Sequence, residues 1–136
     1  MRKVVFVIDG WFMRKRVFAL KAFYYDGQSI RDYCRGHLRD NDYLYRIFYY
    51  DTEPLDLKGH NPITKEMIDF GKTPVALAQK KLLESIKHTP NFALRLGSTV
   101  WRNKAWIIDP DKVKLLLKKE ITIDDITDND VSPYIE

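Results

Sequence analysis

The chain has 136 residues, 45% hydrophobic and 31% charged, a composition that suits one globular domain and excludes disordered and collagen-like classes. Its net charge of +4 and pI of about 9.1 lean toward polyanionic partners. The charge is uneven: residues 1–50 carry ten basic and five acidic side chains, residues 101–136 six and eight. Solvated helix faces would account for the same surplus.

Met1-Arg2-Lys3 begins like a secretory signal, but the apolar run after it is cut off by Asp9. No stretch is long and apolar enough to span a membrane, and the single cysteine, Cys34, excludes an internal disulfide. A cytoplasmic location with no membrane partner is therefore expected.

Val4 to Ile8 is a continuous β-branched run, expected to form a strand buried on both faces of a parallel sheet. It ends in Asp9-Gly10, at the carboxyl end where open α/β sheets bind ligands. Met13, Val17, Leu20 and Tyr24 recur at helical spacing and predict a first helix; Ile30, Tyr33, Cys34, His37 and Leu38 predict a second. Tyr43 to Tyr50 is a second strand, ending in Asp51. A strand–helix–strand crossover makes the two strands parallel and brings Asp9 and Asp51 to one sheet edge.

Residues 52–72, with Pro54, Gly59, Pro62 and Gly71, read as a long irregular loop. Thr73-Pro74 opens a helix expected to bury Val75, Ala78, Leu82, Leu83 and Ile86. Residues 92–108 read as a hairpin turning at Arg102-Asn103-Lys104, and Asp109-Pro110 caps a last helix through Val113, Leu116 and Leu117. Ser132 to Glu136 reads as a helix just beginning, so the chain is expected to stop before its domain is complete.

Asp9 is the sharpest candidate: a strand-end carboxylate before glycine either holds a divalent metal or caps the next helix. Asp51 is the second, as a metal ligand or a supporting carboxylate. Trp11 and Phe12 beside Arg14, Lys15 and Arg16 pair a stacking surface with charge, a patch suited to single-stranded RNA; Arg95, Arg102 and Lys104 with Trp101 form a second patch on the hairpin. Cys34 and His37 read as core packing rather than half a zinc site. Asp124, Asp125, Asp128 and Asp130 lack the glycine and closing glutamate of a calcium loop. A second aspartate two residues after Asp9, which haloacid-dehalogenase phosphatases need, is missing because position 11 is Trp. No glycine-rich phosphate loop is present.

Val4-Val5-Phe6-Val7-Ile8-Asp9-Gly10 resembles the opening of NYN domains, in the PIN-like nuclease superfamily. The resemblance continues through Tyr45-Arg46-Ile47-Phe48-Tyr49-Tyr50-Asp51, Asn61-Pro62-Ile63-Thr64, Leu94-Arg95-Leu96-Gly97 and Ile121-Thr122-Ile123-Asp124-Asp125. It implies a Rossmann-like, three-layer α/β fold with a mainly parallel central sheet, of which residues 1–136 would be the N-terminal portion, the C-terminal strands missing. It also implies Mg²⁺- or Mn²⁺-dependent ribonuclease activity, with Asp9 at the first acidic position. The family's later acidic motifs, a Gly-Val-Asp strand and a Gly-Asp-Ser-Asp-like turn, are not found, and Trp11-Phe12-Met13 stands where many members have an asparagine. The chain is therefore not expected to be a competent nuclease. The alternative is a non-catalytic RNA-binding or protein-interaction module of the same fold. Loss of a flanking strand would leave Val4–Ile8 as an exposed apolar edge and promote self-association.

Overall fold

A computed structural model describes residues 1–18 and 26–136. In chain order the elements are β1 (Arg2–Asp9), α1 (Gly10–Phe12) running into a π-helical turn (Met13–Phe18), α2 (Gly27–Arg35), β2 (Asp42–Thr52), β3 (Lys58–His60), β4 (Met67–Asp69), α3 (Pro74–Lys87), β5 (Phe92–Gly97), β6 (Trp101–Ile108), α4 (Pro110–Leu117) and β7 (Val131–Ile135). They form two compact units: Met1–Pro54 with Pro74–Ser98, and Leu55–Thr73 with Thr99–Glu136. Among the described residues no helix is long and apolar enough to cross a membrane.

The first unit is mixed α/β, built on a parallel sheet in the order β1-β2-β5. Successive side chains of a strand alternate between faces. Phe6 and Ile8, Ile47 and Tyr49, and Phe92 and Leu94 share the face that α2 and α3 cover, where Ile47 and Tyr49 are fully buried. The central β2 supplies the middle of this core. β1 lies at the sheet margin, and Val5 and Val7 are exposed on its other face. The expectation of burial on both faces is thus corrected: within this unit the helices occupy one face.

Asp26 caps α2 by accepting from Ser29 N at 2.9 Å. Ile30 and Cys34 are its buried stripe, while Tyr33 and His37 meet edge to face at the margin. Gly27 lets α2 approach α3 closely: its N–H donates to Ser85 Oγ at 2.9 Å, and a Cβ there would stand 3.0 Å from Ser85 O. In α3 the inward residues are Ala76, Gln79, Leu82, Leu83 and Ile86. The expected Val75 and Ala78 face outward. The helical spacing from Leu83 and Ile86 back to Ala76 passes through Gln79, whose side-chain N–H donates to Thr52 O at 3.3 Å while its buried Oε1 has no hydrogen-bond partner among the described residues. Leu20 and Tyr24, assigned to the first helix, lie outside the described residues.

The hairpin expected over residues 92–108 does not form. β5 joins β2 in parallel, guided by Asn91, whose carbonyl accepts from Ile47 N at 2.8 Å and whose φ of 77° turns the chain out of α3. β6 instead pairs antiparallel with β7. Asn103 and Lys104, with φ near 50°, mark a break in that pairing rather than a hairpin turn. The expected terminal helix at 132–136 is therefore a strand, in which β-branched and aromatic residues flank Pro133.

The second unit also corrects the expected loop at 52–72. β3 and β4 form a short antiparallel ladder whose turn is held by Asn61. Its side-chain oxygen accepts from Ile63 N and Thr64 N, and Lys65 takes a φ of 66°. Phe70, Trp101 and Trp106 make a cluster of tilted and edge-on rings 5.5–6.1 Å apart. Asp109 caps α4 as expected, accepting from Asp111 N at 2.9 Å. Asp125 and Asp130 accept from the backbone N–H groups of Thr122 and Thr127, so two carboxylates of the acidic stretch hold turns.

Candidate functional site

Parallel pairing carries β1 and β2 to the same edge, with Asp9 opposite Tyr50 and Asp51 one residue farther on. Alternation then sends the two carboxylates to opposite faces of the pleat: Asp9 belongs with Val7 and Tyr50, Asp51 with Ile8 and Tyr49.

Asp9 is exposed and caps α1, its Oδ1 accepting from Trp11 N at 3.0 Å and Phe12 N at 3.3 Å. Asp51 is enclosed, its side chain 2% accessible. It receives Arg14 Nη2 at 2.9 Å and Nε at 3.3 Å, and Thr52 N at 2.8 Å. Gly10 lies directly over this pair, and a Cβ at that position would stand 2.7 Å from Asp51 Cγ.

These residues do not fit a divalent metal. Asp51 is already neutralised by a guanidinium, and Asp9 stands on the other face. Among the described residues no three His, Cys, Asp or Glu side chains gather as a metal group. Hard cations of the Mg²⁺ type need several oxygen ligands.

The basic patch divides. Arg14 turns inward to Asp51, whereas Trp11 and Phe12 on the turn that Asp9 caps, and Lys15 and Arg16 after it, are exposed. The second patch does not assemble on a hairpin. Arg95 is a β5 residue lying over the Phe48 ring at 5.9 Å, and Arg102 is a β6 residue paired with Glu136. Trp101 is buried, donating its indole N–H to Ala105 O at 2.7 Å. Burial in the α2 stripe pushes the Cys34 thiol up to about 11.

Sequence reasoning missed the Arg14–Asp51 ion pair because 37 residues separate the partners. The interleaving of Arg46 and Arg95 with aromatic β2 residues is hidden in the sequence for a similar reason: the face they share depends on which strands pair. No protein-family model, curated protein or solved structure is matched by the chain.

Proposed function

We propose that this chain handles RNA at the carboxyl edge of its parallel sheet, as part of a PIN-like domain of the NYN ribonuclease type. The observation that carries the proposal is the edge itself. There, exposed Asp9 caps a helical turn that carries exposed Trp11 and Phe12 and runs on to exposed Lys15 and Arg16, which joins a stacking surface to cations that can meet phosphates. In this proposal the 136 residues bind single-stranded RNA and do not cleave it. Metal-assisted hydrolysis at this edge needs carboxylates besides Asp9, and Asp51 is held by Arg14 on the other face.

The test is to incubate the purified chain with labelled single-stranded RNA in Mn²⁺ or Mg²⁺, reading cleavage and binding together. Salt-sensitive binding without cleavage is expected. Robust Mn²⁺-dependent cleavage, abolished by Asp9→Ala, would show that a metal site forms on these residues after all. Absence of RNA binding at low salt would remove the RNA assignment altogether.

A further inference from the structure

The face of the sheet opposite the helices carries a pattern of its own. Lys3, Val5 and Val7 of β1, Arg46, Phe48 and Tyr50 of β2, and Arg95 of β5 share it by alternation and register. A register shift between Val4 and Val5 leaves Tyr45 as the extra residue on β2. Its ring lies 4.8 Å from Lys3 Nζ and 5.5 Å from the Arg46 guanidinium. Arg95 covers Phe48 at 5.9 Å and stands opposite Tyr50 in the ladder. Tyr45 and Tyr50 are 46% and 49% exposed and Val7 72%. Asp9 is the one acidic residue of the three strands placed on this face by the register, and it sits at the end.

We infer that this open face is a stacking platform for single-stranded RNA, with bases on Tyr45, Phe48 and Tyr50 and phosphates on Lys3, Arg46 and Arg95. The inference rests on the RNA assignment above and adds a surface distinct from the Trp11–Arg16 edge. Charge decides the occupant. A protein layer would have to desolvate three cations against one marginal carboxylate, whereas a polyanion neutralises them. Aromatic rings interleaved with guanidinium groups suit unstacked bases, which a duplex does not offer. Arg46 and Arg95 already lie against rings, which leaves the outer side of each guanidinium for a base.

The experiment is fluorescence anisotropy of a labelled ten-nucleotide uridine RNA against the full chain, repeated across salt concentrations. Tyr45→Ala/Tyr50→Ala is expected to weaken binding roughly tenfold or more, since both rings are exposed and their loss removes stacking. Arg46→Gln/Arg95→Gln is expected to lower the salt slope by about 1.4, and the corresponding double Lys variant to restore it. Lys15→Gln/Arg16→Gln tests the edge patch in parallel, and circular dichroism verifies that each variant is folded. Unchanged affinity in both face variants, with loss in the edge variant, would overturn the platform and leave the RNA assignment standing. No binding by the unaltered chain would overturn both. Sedimentation showing a dimer that Val7→Lys and Tyr50→Ala convert to monomers would make the face a contact between copies and also overturn the platform.

Discussion

Arg14 and Asp51 lock the end of the sheet: a guanidinium 20% accessible holds a carboxylate 2% accessible through two hydrogen bonds of 2.9 and 3.3 Å. Asp51 sits on the helix-covered face, one step past Tyr49, so its charge needs a partner brought from elsewhere. The π-helical turn after α1 carries that partner. The first βα connection is thereby tied to the central strand.

Removing one member of an enclosed ion pair leaves the other charge without compensation. Arg14→Met and Asp51→Asn are each expected to lower unfolding free energy by about 3 kcal/mol in urea denaturation. The double variant should lose less than the sum. A loss below about 1 kcal/mol in both single variants would mean that the pair is only a surface contact.

Gly10 is required by the same arrangement. Asp51 Cγ and Tyr49 Cε1 would stand 2.7 and 2.8 Å from an added Cβ, closer than packed atoms approach. Gly10→Ala is expected to cost about 1–3 kcal/mol by the overpacking it forces. Asp51→Ala should relieve part of that cost in a double-mutant cycle, and strict additivity would show that Tyr49 alone sets the limit.

Strands β1 and β2 and their parallel pairing were legible because dense β-branched and aromatic runs ended in matching aspartates. The cap of α4 at Asp109 was legible for a local reason too, an Asp-Pro pair before a helical stripe. Long-range choices were not. Nothing local to Phe92-Ala93-Leu94-Arg95-Leu96 says whether it pairs back on residues 105–108 or joins β2. Its apolar alternation serves either, and the core under Ile47 and Tyr49 decides. Likewise Asp9 and Asp51 were read onto one edge, which is right. Their opposite faces follow from a one-residue offset that only the register reveals. Gln79 is a core position that hydropathy does not give, because the Thr52 carbonyl that accepts from its side-chain N–H lies 27 residues away.

Asp9 acts here as a cap. Asp9→Ala is expected to cost about 1 kcal/mol of stability, the usual loss when a capping carboxylate is removed from Trp11 N and Phe12 N. Millimolar Mn²⁺ is expected to leave the melting temperature of both proteins unchanged, because no three-ligand group is present among the described residues. A rise in the unaltered chain alone would reveal a metal held by Asp9, since binding to the folded state raises stability by mass action.

Cys34 provides a pH signature of the α2 stripe. It is 1% accessible between Ile30 and the α3 residues of the core, and burial raises its thiol from 9.0 to about 11. Between those values the unfolded chain loses the thiol proton while the folded chain keeps it, so the folded state binds more protons. Stability therefore falls as pH rises from about 9 toward 11, by at most about 1.4 kcal/mol per pH unit for one proton. Cys34→Ala should be less stable at neutral pH, by about 1 kcal/mol for the small cavity left, and should lose this alkaline component. The measurement is urea denaturation at pH 8, 9 and 10 for both proteins, with iodoacetamide labelling of the native chain as a check. Labelling of native Cys34 at the rate of the urea-unfolded chain, or identical pH profiles for the two proteins, would place the thiol outside the core.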